Sequence, residues 1–297
     1  MVSIARRTLP PTTRRCDPIL PELPEVETIR RQLDPLLRGR AIDRAWAFDS
    51  AKFTPALRAA DSTIIAVGRR GKYLIFELTA SMHRLPGDAR PASSELIVHL
   101  GMTGSLRVHG AEVPADPYAR ARWTMSDGET LEFRDVRRFG RIAVVEPGHY
   151  ASLATLAALG PEPGDPILDS TFWQAMNASR RHVKTHLLSQ RPIAGVGNIY
   201  ADEALWLAGI HPARRRVTKQ QSATLLAALR EVLSAGIERG GTTLRDYVDA
   251  DGRAGTNQLH LRCYGRSGQP CVRCGTALSR SVIDARTSTW CPTCQPR

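Results

Sequence analysis

A chain of 297 residues is long enough for two hydrophobic cores and a small appendage. Its 41 Lys and Arg against 29 Asp and Glu leave a formal charge of +12, which points to a polyanionic partner: nucleic acid first, an anionic membrane second, with a basic but merely solvated surface as the plain alternative. No apolar run approaches the ~18 residues a membrane span needs, and residues 1–20 carry Arg6, Arg7, Arg14 and Arg15 among prolines without the apolar stretch of a secretory signal.

Those first residues have no useful apolar period and read as a disordered extension. At Pro21-Glu22 a proline stands beside an acid. A chain-terminal proline is a secondary amine able to attack a sugar aldehyde, and an α-amine with a pKa of about 8 is partly neutral near pH 7. Inside a longer chain the same nitrogen is an amide without a free lone pair. From Pro24, suited to a first helical turn, Val26, Ile29, Leu33, Leu36 and Leu37 recur at helical spacing, and Pro35 should bend or end that helix. Seven strand-like runs follow, at 63–67, 72–78, 95–100, 105–109, 122–125, 130–133 and 141–145, with Ser126-Asp127-Gly128 as a hairpin turn. A leading helix laid on short strands predicts an α+β chain with an N-terminal β-sandwich.

The proline-rich stretch 146–166 reads as a domain boundary. Beyond it the apolar period turns helical over 172–188, 199–207 and 223–237, and Thr218 with Gln221 forms a capping box before the last. Gly195-Val196-Gly197-Asn198 precedes the second of these helices. Backbone N–H groups there, with the Asn198 amide, make either an anion site or an ordinary tight turn.

Cys271, Cys274, Cys291 and Cys294 form two close pairs sixteen residues apart, while Cys16 and Cys263 are isolated. Two such knuckles place four thiolates about one structural Zn²⁺, in a reducing, cytoplasmic setting rather than a disulfide framework. Arg286, near the tip of the hairpin between them, either reaches a phosphate or is solvated. His182 and His186 stand one helical turn apart without the acid partner a zinc enzyme would show. Met102 and Phe139 sit in loops beside arginines, as base-stack wedges or as core residues. Lys72 at a strand start is a phosphate ligand or a solvated lysine.

Taken in order, Pro21-Glu22-Leu23-Pro24-Glu25-Val26-Glu27-Thr28, Gly71-Lys72-Tyr73-Leu74, His99-Leu100-Gly101-Met102-Thr103-Gly104-Ser105, Arg137-Arg138-Phe139-Gly140, the segment from Gly195 to Ala204, Gly240 to Asp246 and Tyr264-Gly265-Arg266 before the cysteines resemble formamidopyrimidine-DNA glycosylase, a bifunctional base-excision repair family. The leading motif resembles that branch rather than the related endonuclease VIII branch. The resemblance implies a β-sandwich, a helix–two-turn–helix domain and a zinc-finger hairpin over 21–150, 165–250 and 262–297, with damaged double-stranded DNA between the halves of a monomer. It implies that Pro21 attacks C1′ and that Glu22 is the acid/base group. It also implies that Lys72, Asn198 and Arg286 grip phosphates, with Lys184 near the same pocket, and that Met102, Arg137 and Phe139 enter the duplex. The expected reaction is removal of oxidised purines, 8-oxoguanine and formamidopyrimidines, followed by β,δ-elimination through a proline Schiff base in the nucleoid-bearing cytoplasm. Two departures stand out. The loop from Arg253 to His260 lacks the aromatic residues that cover the extruded base in this family, leaving the preferred lesion open. Residues 1–20 precede the nucleophile, so the working protein is expected to begin at Pro21, after initiation at Leu20 and methionine removal. The alternatives are a catalytically inactive damaged-DNA binder with a blocked Pro21, and a zinc-ribbon module without damage preference.

Overall fold

The computed structural model describes residues 20–80, 92–110, 112 and 115–297. The reading of 1–19, and Cys16 with it, lies outside the described residues. Helix α1 (Leu23–Leu37) leads into an antiparallel sheet of β1 (Ala41–Ala47), β2 (Ser62–Arg70), β3 (Tyr73–Ala80), β4 (Ser93–His99), β5 (Gly104–His109), β6 (Ala119–Met125), β7 (Thr130–Asp135) and β8 (Arg141–Val145), in the order β5-β7-β6-β1-β2-β3-β4-β8. β1 and β2 pair at only Ala41↔Thr63 and Ile42↔Ser62, and both strands carry register shifts nearby. The sheet creases there into two four-stranded halves that enclose one core, which is how a continuous sheet makes a sandwich. Val26, Ile29, Leu33 and Leu37 of α1 enter that core beside Phe53, Phe76, Trp123 and Phe133.

One expectation needs correction: the sheet has an eighth strand, β1, whose alternation is interrupted by the register shift between Ile42 and Arg44. Of the two outcomes expected at Pro35, the helix does not end there but runs on to Leu37. Pro35 and Leu36 face outward, and buried Leu37 keeps the last turn on the core.

The second half contains α2 (Ala154–Ala157), α3 (Asp169–Asn177), α4 (Val183–Leu188), α5 (Asn198–Leu207), α6 (Lys219–Glu238), a 3₁₀ turn (Asn257–His260) and the hairpin β9 (Ser279–Ile283) with β10 (Arg286–Trp290). The period over 172–188 is split between α3 and α4, because Val183 and Lys184 donate their N–H groups to Arg214 and Pro212 carbonyls rather than to a continuing helix. The capping box forms as expected: Gln221 N–H donates to Thr218 Oγ1 at 3.1 Å, and Thr218 N–H to Gln221 Oε1 at 3.1 Å.

Helix α1 belongs to both halves, since Leu23 packs into the helical core while Val26 onward packs into the sheet. Glu25 bolts the join. Its carboxylate accepts from Glu22 N–H at 2.8 Å, Tyr200 O–H at 2.8 Å and Thr242 N–H at 2.6 Å. Gly241, at φ +85°, leaves room for this: a Cβ there would come within 3.0 Å of the Glu25 side chain. Stranding three buried donors is costly, so Glu25→Ala should lower unfolding stability by about 3 kcal/mol and Tyr200→Phe by about 1 kcal/mol. Urea denaturation of both variants checks this.

Candidate active site and nucleic-acid interface

The site grows from the first turn of α1 against the first turn of α5. Pro21 is buried, and it lines a small recess with Glu25, Met102, Thr242, Leu244 and Tyr247. Glu22, the residue capping α1, sends its carboxylate across to α5, where it accepts from Gly197 N–H at 2.7 Å, Ile199 N–H at 2.8 Å and Tyr200 N–H at 3.4 Å. Any side chain at Gly197 would strike it, its Cβ lying 2.2 Å from Glu22 Cδ. The helix N-terminus read as an anion site is therefore filled from within, by Glu22. Burial raises the Glu22 pKa to about 7; Lys72 and the α5 amides oppose the rise and Glu25 adds to it. Near neutrality this carboxyl can both give and take a proton.

Lys72 is buried beside this pair. Burial lowers its pKa, Glu22 and Glu25 raise it, and Arg286 lowers it again, so Arg286 lies close enough for the two cations to repel. Arg286 itself is exposed at the start of β10. Asn198 opens α5 with both amide atoms buried and without a hydrogen-bond partner. Such an orphaned amide is a rare, costly feature that a ligand oxygen would relieve. Lys72 and Asn198 thus lie beside Glu22, with the charge of Arg286 felt at Lys72.

Lys184 does not join them. It is 1% exposed, and its ammonium donates to Thr287 O at 2.7 Å and Ser288 Oγ at 2.9 Å while pairing with Asp202 Oδ1 at 2.7 Å. With its charge matched by Asp202, it ties the hairpin to α5.

Met102, Arg137 and Phe139 converge on two adjoining loops. Arg137 lies 5.1 Å over the Phe139 ring, with Nη1 3.9 Å from Met102 Sδ, and Phe139 is 51% exposed. Asp135 holds the pair of loops together by accepting from Thr103 O–H at 2.6 Å and Gly140 N–H at 2.7 Å, while Thr103 Oγ1 accepts from Arg137 N–H. Phe139, half exposed on a braced tip, is therefore not a core residue. The sequence reading gave His99 no role of its own. It accepts Gly101 N–H at 3.1 Å and packs at a tilt against the Tyr73 ring with centroids 4.7 Å apart, and burial, with help from Lys72 and Arg141, lowers its pKa to about 4.

The loop after Gly252 is ordered by polar contacts. Asn257 is buried and donates to Thr242 Oγ1 at 2.8 Å, while Gln258 accepts Thr243 N–H at 3.0 Å. Leu259 stands 77% exposed beside a groove shared with Leu244, His260, Tyr264 and Arg266.

The sulfurs of Cys271, Cys274, Cys291 and Cys294 lie within 4.8 Å of one another, and Trp206 Nε1–H donates to Cys271 Sγ at 3.4 Å. Four converging thiols with no open position fit a structural zinc ion. Cys263 stays outside the set, its thiol donating to Thr289 O. His182 and His186 do not converge on a metal: the first meets Asp284 and the second Ala175 O. Among the described residues no helix is long and apolar enough to cross a membrane.

Comparison with known proteins gives one consistent picture. Residues 20–142 match the formamidopyrimidine-DNA glycosylase N-terminal domain, residues 159–248 its H2TH domain, and residues 268–297 the zinc finger found in FPG and IleRS. The formamidopyrimidine-DNA glycosylase of Deinococcus radiodurans is 43% identical over 281 residues, covering 93% of this chain and 98% of the relative. The crystal structure of the MutM (Fpg) protein from Thermus thermophilus superposes with a TM-score of 0.81 at 42% identity, over 93% of this chain and 98% of the other. A complex of Lactococcus lactis Fpg with abasic-site DNA gives a TM-score of 0.81 at 31% identity, over 93% and 100%.

Zinc binding supplies folding energy to a hairpin this small. Cys274→Ala should therefore lose the metal, measured by elemental analysis, and loosen residues 268–297 to hydrogen exchange. The sheet around Trp123 should stay protected.

Proposed function

The chain belongs to the formamidopyrimidine-DNA glycosylase family, and from that premise we propose how its site works. The protein is a DNA glycosylase and abasic-site lyase that acts on damaged double-stranded DNA, and it carries one structural zinc ion. In the proposed chemistry the Pro21 amine attacks C1′ of an everted nucleotide. The C1′–base bond breaks, and the base departs with a proton. Glu22, in its acid form, protonates the ring oxygen O4′, the sugar opens, and the nitrogen, having lost its own proton, holds C1′ as an iminium. Loss of a C2′ proton then expels the 3′ phosphate, and a second elimination expels the 5′ phosphate. Lys72, Asn198 and Arg286 hold the flanking phosphates, while Met102, Arg137 and Phe139 fill the gap in the stack.

The observation that carries this reading is the Glu22 carboxyl, buried next to Pro21 and poised to titrate at about 7. General acid catalysis is most effective when the acid's pKa lies near the working pH. The chemistry requires Pro21 to bear a free secondary amine, so the proposed active form begins at Pro21. We place its work in the bacterial cytoplasm, on nucleoid DNA, with oxidised purines, including 8-oxoguanine, as the bases removed.

Borohydride reduction in the presence of abasic-site duplex tests the nucleophile. The active form should become covalently linked to DNA, with the bond at Pro21 by peptide mass. Duplex binding without any trapped adduct, from protein whose mass confirms a free Pro21, would mean a damage binder instead. Glu22→Gln should slow base removal by about 10²-fold or more while sparing cleavage of a preformed abasic site. In the wild type the reactive forms are protonated Glu22, which loses its proton at about 7, and the neutral Pro21 amine, with an ordinary pKa of about 8, so single-turnover base removal should pass through a maximum between these values and decline above it. A rate still climbing at pH 8 would count against Glu22 as the acid.

A further inference from the structure

We propose that Asp284, gripped by the first turn of α4, is a positioning residue that aims Arg286. This rests on the reading above, in which Arg286 holds a phosphate. The zinc ion secures one end of the β9–β10 hairpin, but Arg286 stands at the other end, directly after the turn. That turn is built from two non-glycine residues in the left-handed region, Asp284 at φ 45° and Ala285 at φ 64°. L-residues adopt this conformation when surrounding contacts hold them there.

The contacts come from outside the hairpin, on both sides of Arg286. Before it, Asp284 Oδ2 accepts from Thr185 O–H at 2.6 Å and meets His182 Nδ1 at 2.9 Å. After it, Lys184 donates to Thr287 O and Ser288 Oγ, and Asp202 accepts from Thr289 N–H at 2.9 Å. His182, Lys184 and Thr185 thus take hold of the chain two residues before Arg286 and one and two residues after it. The clamp leaves Arg286 itself exposed, with its charge near enough to Lys72 to be felt there. An arginine on a free ribbon tip would give up much of its binding energy to ordering; one on a fixed tip gives up less.

Lys184 and Asp202 are buried, and replacing either risks the fold, so the test uses exposed Asp284. Asp284→Gly removes the carboxylate while keeping a left-handed turn accessible, and Asp284→Asn restores an acceptor for Thr185. The probe is a duplex carrying a stable tetrahydrofuran abasic analogue, bound to otherwise full-length active protein. Arg286→Ala should weaken binding by about tenfold and reduce the slope of log K against log salt by about 1. Asp284→Gly should retain its zinc and lose about fivefold in affinity, Asp284→Asn should recover most of that, and the double variant should bind no worse than Arg286→Ala alone. Losses that multiply in the double variant, or an Asp284→Gly protein that binds like wild type while Arg286→Ala is weakened, would overturn the clamp and leave the phosphate contact standing. An Arg286→Ala protein that binds like wild type would overturn the phosphate contact, and the clamp with it.

Discussion

Two neighbouring carboxylates, Glu22 and Glu25, are buried at a single helix start, and the rest of the molecule is arranged around that fact. Charge removed from water must find partners or protonate. Glu22 finds them in the amides of α5, and Glu25 finds them in Tyr200, Thr242 and its own cap. The two acids therefore fix the beginning of α1 to the helical half of the protein while its later turns lie in the sheet core. Pro21 is attached directly to this hydrogen-bonded junction. The incomplete compensation is chemically useful. Because burial outweighs Lys72 and the amides at Glu22, the acid keeps its proton to about neutrality, the pH range in which a proton donor is of most use.

The same logic separates the groups around the cleft. Lys72 and Arg286 bring positive charge to the corner, and Asn198 contributes a neutral amide with no internal partner. His99, between Lys72 and Arg141, is kept neutral by burial and by those cations. Across the cleft, Asp135 uses both oxygens to brace the loops of Met102 and Phe139. Gly101, at φ +67° and with no space for a Cβ against Gly140 N, lets those loops close on each other. Phe139 is left exposed on this braced tip with the Arg137 guanidinium over its ring.

Local signals in the sequence proved legible where the physics is local. The Thr218–Gln221 box, the Ser126–Gly128 turn and the four-cysteine spacing each depend on residues close together in the chain or on one metal. What could not be read depends on contacts across the fold. β1 hides because its register shift breaks the alternation, and the helical period through 178–182 is interrupted by carbonyls of Pro212 and Arg214, some thirty residues away. The contacts of Lys184, with Asp202 and the hairpin, likewise come from distant parts of the chain. The glycine loop before α5 carries a true anion-binding geometry, and only the folded chain reveals that the anion is Glu22.

The loop after Gly252 shows what this chain has exchanged for the aromatic cover suggested by its relatives' pattern. Asn257 extends the Glu25 network outward, since its amide donates to Thr242 Oγ1 and approaches Tyr200 Oη while its oxygen accepts from Arg239. An aromatic ring at this buried position could make none of those bonds, leaving Thr242 Oγ1 with Tyr200 alone. The root of the loop is consequently tied to the same acids that place Pro21, and Leu259 and Leu244 present aliphatic rather than π surface to the groove. The polar groups at the loop's root are thus spent on one another, Asn257 on Thr242 and Arg239 and Gln258 on Thr243, so they fix the shape of the loop, while its tip offers the groove aliphatic surface.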